Sequence, residues 1–170
     1  MKHIILTLVI ISFFNSSFAQ NDIEINYSND KDVLLNGQIL TKDTNLETIT
    51  SILGEPIIYK TYVTGKINYH YPKLGLSVHF VNENLLFIGA NYNWDGDKNF
   101  PETTFTGKMK IGEVSFDVDS KSSQLSEIKV VKITCLMPEL CMSNPKEEKE
   151  AIIIGFKDEK LTQIGIEFKQ

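Results

Sequence analysis

The sequence predicts an α+β fold: two tandem repeats, each an antiparallel sheet of hairpins with one short helix. Three observations carry this. Residues 76–92 and 152–168 follow one pattern at a constant offset of 76. Phe80/Phe156, Glu83/Glu159, Leu85/Leu161, Ile88/Ile164 and Gly89/Gly165 coincide, while Asn82/Asp158 and Tyr92/Phe168 are conservative matches. Each copy alternates apolar and polar residues, reaches a polar turn and alternates again, which describes a β-hairpin. Between such stretches the hydrophobic period changes to that of a helix, most clearly at residues 46–53. Recurrence at a fixed offset marks duplication of one supersecondary unit.

The chain opens with Lys2 and His3, an apolar run over residues 4–14, and small polar residues ending at Ala19. A run of eleven residues is too short to span a bilayer. The pattern is that of a secretory signal peptide, residues 1–19, cleaved after Ala19. No Cys follows the run, so neither a lipid anchor nor a membrane anchor is expected after cleavage. The organisation that follows is a first repeat over 20–92, a linker over 93–105 and a second repeat over 106–170. Together they form one compact domain in the periplasm or outside the cell.

Residues 22–27 alternate as a strand. Residues 33–40 form a hairpin around Asn36-Gly37, a pair that accepts the positive φ angles of a type I′ turn. Thr44 with Glu47 fits a capping box. Leu46, Ile49, Ile52 and Leu53 then give one apolar stripe, Gly54 ends the helix and Pro56 prevents its continuation. Residues 57–63 and 66–71 read as strands leading into the first copy of the hairpin. In the second repeat residues 108–116 read as a hairpin, 120–128 as a helix and 130–136 as a strand. Residues 138–150 read as an irregular charged loop.

Setting Lys2 aside leaves sixteen Lys against 22 acidic residues and no Arg, a net charge near −6. Nucleic acid is therefore not an expected partner. The bidentate fork that clamps phosphates and carboxylates is also lacking. Cys135 and Cys141 are expected to form a disulfide in an oxidising compartment.

Residues 91–102 hold the sharpest chemical pattern. Asn91, Asn93, Asp95, Gly96, Asn99 and Glu102 sit at positions 1, 3, 5, 6, 9 and 12 of a calcium loop, with Asp97 at position 7. Yet Lys98 and Pro101 break the pattern, and its flanks read as strand and coil rather than helices. His70 and His79 lie on neighbouring strands without a third ligand nearby in sequence. Both read as solvent-face residues, and the run Glu147-Glu148-Lys149-Glu150 reads as a solvated loop. No catalytic residue, metal site or cofactor is expected.

The order Leu46 to Pro56, with its Leu-Gly-x-Pro ending, then Tyr69-His70-Tyr71, Gly75-Leu-Ser-Val78, Phe80 and Leu85 to Ile88, resembles exported bacterial domains of the SmpA/OmlA type. It is also similar to the tandem-repeat β-lactamase inhibitory proteins. An uncharacterised family of two-repeat exported proteins is the nearest kind of match. The resemblance covers residues 43–92 well and 106–170 loosely. It implies a curved antiparallel sheet that holds another protein, and it transfers no binding residue. The expected function is a non-enzymatic protein-binding module of inhibitor, immunity or envelope-assembly type. Its expected surface is a sheet face bearing Tyr69 and Tyr71, bordered by Tyr92 and Trp94. The alternatives are a small metal-dependent or hydrolytic enzyme, and a calcium-binding protein using residues 91–102.

Overall fold

The structure, a computed structural model, describes residues 23–170, so the expected signal peptide over 1–19 and residues 20–22 lie outside it. It is mostly β. The strands are β1 (Glu24–Tyr27), β2 (Val33–Leu35), β3 (Gln38–Leu40), β4 (Ile57–Thr61), β5 (Lys66–Tyr71), β6 (Leu76–Val81) and β7 (Asn84–Asn91). The chain continues with β8 (Lys108–Ile111), β9 (Val114–Phe116), β10 (Ile133–Met137), β11 (Leu140–Ser143), β12 (Glu150–Lys157) and β13 (Lys160–Phe168). One α-helix, α1 (Leu46–Leu53), and one 3-10 helix (Ser122–Glu127) complete the elements. No described helix is long and apolar enough to cross a membrane.

The strands form two sheets. A small one runs β3-β2-β1-β8-β9, and a large one runs β10-β11-β12-β13-β7-β6-β5-β4. The large sheet is antiparallel throughout. One core cluster takes Ile25, Tyr27, Leu35, Met109 and Ile111 from the small sheet. From the large sheet it takes Leu76, Val78, Ile88, Ile152, Ile154, Ile164 and Ile166. Helix α1 adds Ile49, which is fully buried.

The large sheet is centred on the pairing of β7 with β13, where Gly89 lies opposite Gly165 and Ile88 opposite Ile166. From that centre the order outward is β6, β5, β4 on one side and β12, β11, β10 on the other. The starts of β4 and β10, Ile57 and Ile133, differ by the same 76 positions as the starts of β7 and β13, Asn84 and Lys160. The two central hairpins also turn alike. Asn82 and Glu83 have φ of 47° and 67°, and Asp158 and Glu159 have 51° and 65°. Two consecutive residues at positive φ give a turn whose twist matches the flanking strands.

Several local expectations change. The N-cap of α1 is Asn45, whose Oδ1 accepts from the Thr48 amide at 2.9 Å. Thr44 Oγ1 instead accepts from the Thr41 amide. The expected second helix is a single 3-10 stretch that buries none of its residues. Its Ser-rich sequence competes with helical bonding through local side-chain contacts, as when Ser126 Oγ donates to the Ser123 carbonyl. The supposed loop 138–150 contains β11, which pairs with β10 and β12. Its acidic run is not all solvated. Glu148 Oε2 accepts from Lys31 Nζ at 2.7 Å and from the Tyr27 hydroxyl at 3.5 Å, and Glu150 is buried.

Cys135 and Cys141 are disulfide-bonded, as expected, and face each other across β10 and β11. The closed loop is small, so the chain-entropy gain is about 2 kcal/mol. The bond fixes the outermost strand on that side of the sheet.

Ile88 and Ile164 are fully buried on the two strands that join at the centre. Replacing either by Ala should cost about 2–5 kcal/mol, by lost transfer energy and a residual cavity. Urea denaturation reads this directly, and both variants should show similar losses.

Candidate interaction surface

Alternation along β5 and β6 puts Tyr69, Tyr71, Val78 and Phe80 on one face of the large sheet, and Asn68, His70, Ser77 and His79 on the other. The first face is the core face. Tyr71 is 3% exposed, so it cannot belong to an exposed binding surface. Burial pushes its hydroxyl up to about 12. Tyr69 packs edge-on against Phe80 at 5.9 Å and lines a groove with the N-cap Asn45 and with Leu46 and Glu47 of α1. Tyr92 is 1% exposed and donates to the Phe116 carbonyl at 3.4 Å. Of the four expected binding residues Trp94 is the one well exposed, at 42%, with Nε1 donating to the Asp97 carbonyl. The four do not form one surface. Tyrosine is large and apolar enough to serve the core, and here it does.

The outer face carries the histidines, but residues 93–105 fold back over it as a strap. Phe105 donates its amide to the Asn91 carbonyl at 2.6 Å, and the Thr104 hydroxyl donates to the Tyr92 carbonyl at 2.8 Å. The Asn93 amide nitrogen donates to the carbonyls of Val118 and Leu161, both at 2.8 Å, which ties the strap to the second half of the chain. Beneath the strap His70 Nε2 donates to the Asn99 carbonyl at 3.0 Å, and Asn68 donates to Asn99 Oδ1. Ser77 Oγ and His79 Nε2 share a hydrogen bond of 3.0 Å. Both histidines are therefore buried, contrary to the solvent-face expectation. The reason is the strap, which alternation along the strands does not reveal.

The same contacts bear on the calcium pattern. Asp95 Oδ1 accepts from the Asp97 amide, and Asp97 Oδ1 accepts from the Asn99 amide. Asn91 directs its amide nitrogen at the carbonyls of Glu102 and Thr103. These side chains close the loop on itself and hold it to the sheet. Among the described residues no group of three or more His, Cys, Asp or Glu is arranged to hold a metal ion.

Aromatic stacking completes the outer face. Tyr59 lies flat on His70, with centroids 4.2 Å apart. His79 stacks on Phe87 at 4.8 Å, and Phe100 of the strap meets Phe87 edge-on at 5.8 Å. Phe87 lies across Gly89 and Gly165, where a Cβ on either glycine would collide with its ring. Side-chain-free positions at the join of β7 and β13 thus let one ring bridge the two halves.

Burial holds His79 far below the usual imidazole range, at about 3, with the Lys66 charge acting in the same direction. Burial also lowers His70, against the opposing pull of the Asn99 carbonyl and the Asp97 charge. Ser77 and His79 resemble a nucleophile and its base, but Ser77 is fully buried. A base at about 3 is also poorly matched to proton abstraction at neutral pH. The arrangement suits anchoring the strap better than turnover.

The open surface lies elsewhere. The edge strand β4 is exposed along its whole length, with Ile57 at 52% and Ile58 at 64%, and Tyr59 beside them. The opposite edge, β10, exposes Leu136 and Met137. Sequence reading passed over both, although Ile57-Ile58-Tyr59 directly after Pro56 is an unbroken apolar run at the start of a strand. Near the centre, a cleft of about 330 Å³ is lined by His79, Phe87, Phe100, Ile153, Gln163 and Glu167, among others.

The profile of a family described as Domain of unknown function (DUF7738) matches residues 24–126, more than half of the chain, and the chain belongs to that family. The match runs from β1 through the strap to the 3-10 helix. No curated protein and no solved structure matches the chain.

The buried histidines set a pH dependence. An unfolded His titrates near 6.5, whereas folded His79 does so near 3. Below pH 6.5 the unfolded state therefore binds more protons, and folding stability falls as pH falls. His79 alone should remove about 2 kcal/mol between pH 7 and pH 5. Urea midpoints at the two pH values measure the loss, and His79→Gln should flatten the slope.

Proposed function

We propose that this DUF7738 chain is an exported, non-enzymatic protein-binding module that docks its partner along the apolar edge of the large sheet. The observation that carries this is β4. Its five residues are all exposed, and three consecutive positions, Ile57, Ile58 and Tyr59, are large and apolar. An edge strand presents unpaired N–H and C=O groups, and folded proteins blunt such edges with charge, proline or cover. On β4 the one charge is Lys60, and its Nζ lies over the Tyr62 ring, 4.6 Å from the centroid. Partner segments that add a strand draw affinity from the main chain and specificity from side chains beside the edge.

Two further features support the reading. The Cys135–Cys141 disulfide suits an oxidising compartment, in line with a signal peptide at residues 1–19 and a periplasmic or secreted location. The constant offset and the matching order of strands on either side of β7 and β13 support duplication of one unit. The resemblance to SmpA/OmlA-type domains and tandem-repeat inhibitory proteins points to the same mode of action.

The test uses the full chain, immobilised and exposed to envelope extract. Ile57→Lys and Ile58→Lys keep exposed positions exposed and should leave the circular dichroism spectrum unchanged. Each should weaken capture of the retained partner roughly thirtyfold, the scale of a lost interface anchor. Mass spectrometry of the exported protein should show a chain beginning near Gln20. Capture unaffected by both edge variants, or a substrate turned over and lost with His79→Gln in a folded protein, removes the proposal.

A further inference from the structure

The strap is pinned at both ends. At one end the Asn93 side chain donates to the Val118 and Leu161 carbonyls. At the other the Thr104 hydroxyl donates to the Tyr92 carbonyl and the Phe105 amide to the Asn91 carbonyl. Between residues 94 and 101 most hydrogen bonds stay within the strap. Asp95 and Asp97 accept from the amides two residues on, and the Asp97 carbonyl takes both the Phe100 amide and the Trp94 indole. This stretch is a small folded unit of its own. Among the described residues its hydrogen bonds and ring contacts to the sheet pass through two neighbours. Asn99 accepts from His70 Nε2 and from the Asn68 side chain, and Phe100 sets its ring edge-on against Phe87. Beneath them His79 stacks on the same Phe87 and shares a hydrogen bond with Ser77.

We propose that residues 94–101 form an acid-responsive lid: a proton placed on His79 lifts them from the sheet, while the pinned ends and the strands beneath stay in place. The inference is independent of the protein-binding reading. The titratable groups around His79 are Lys66 and His70 of β5, Asp97 of the strap and Glu167 of β13, and β7 presents only the uncharged Leu86 and Phe87. Burial is the largest obstacle to a charge on His79, and the Lys66 ammonium is the second. The Asn99 carbonyl favours that charge, whereas His70 opposes it. His70 is the anchor and not the trigger. Its Nε2 goes on donating to the Asn99 carbonyl when the ring is charged, and Asp97 then faces it with the opposite charge. Lifting the lid returns His79 to water. An imidazole in water takes a proton near 6.5 and closed His79 near 3, so the opening constant should rise roughly 25-fold from pH 7 to pH 5. The floor thus uncovered is the polar row of Asn68, His70, Ser77 and His79, in which Asn68 Oδ1 is buried without a hydrogen-bond partner while the lid is closed.

The test is an NMR titration of the full chain from pH 7 downward. The Trp94 indole and Phe100 ring signals report the lid, and the methyl signals of Ile88 and Ile164 report the sheet. The lid signals should move to open positions at a pH where the methyl signals are still native. His79→Gln keeps a side chain able to bond Ser77 but cannot take the proton, and it should remove that transition. Lys66→Gln, at a partly exposed position, should move the transition to lower pH, because charged His79 then faces one cation fewer under the closed lid. A merely structural part for Lys66 would loosen the lid without that downward shift. Lid signals that stay closed until the sheet itself unfolds overturn the proposal. So does a transition left in place by His79→Gln, or one that Lys66→Gln leaves unmoved or moves upward. Where His79→Gln fails to fold, the shift in Lys66→Gln decides alone.

Discussion

Everything in this molecule depends on the pairing of β7 with β13. Without it there are two four-stranded sheets, each ending in an unprotected central strand. With it there is one eight-stranded sheet with a continuous core face and a continuous outer face. The pairing is tight because Gly89 faces Gly165 and Phe87 can lie across both. The residues that join the halves are the ones whose missing side chains make room for a ring. That ring orders His79 by stacking and Phe100 by edge contact, and Phe100 holds the strap. A constraint at the centre of the sheet thereby reaches a loop whose sequence looks like a cation site.

The small sheet supplies a second bond between the halves. β1 lies between its hairpin mate β2 and the distant β8, antiparallel to one and parallel to the other. The core is a single cluster as a result. An outer face locked by the strap on one side and open on the other then leaves the edges and the central cleft uncovered.

Much of the fold was legible because hairpins have a strict period of two. The repeated pattern located β6, β7, β12 and β13, and the stripe of Leu46, Ile49, Ile52 and Leu53 located α1. β11 was missed because it lies between Pro138 and Pro145 among charged residues. Its pairing comes from tertiary context, with Cys141 placed opposite Ile154. The candidate surface was less legible. Alternation separates Tyr69 and Tyr71 from His70, but it does not say which side is covered. Here both sides are covered, one by the core and one by the strap, so the amphipathic signal points the wrong way. Sequence spacing did expose the disulfide, since a six-residue separation around Pro138 needs only a tight hairpin.

The parallel pairing of β1 with β8 has a consequence in time. Glu24 lies against Lys108, 84 residues further along the chain. A chain that emerges from synthesis N-terminus first delivers β1 long before β8. During that interval β1 has β2 on one flank and nothing on the other, and the centre of the small sheet stays open until the strap has passed. Pairings between segments so remote are slow to form, since loop closure precedes any reward from contact. The first strand to arrive is thus among the last to be enclosed, and the small sheet becomes whole only when β8 comes to lie beside β1.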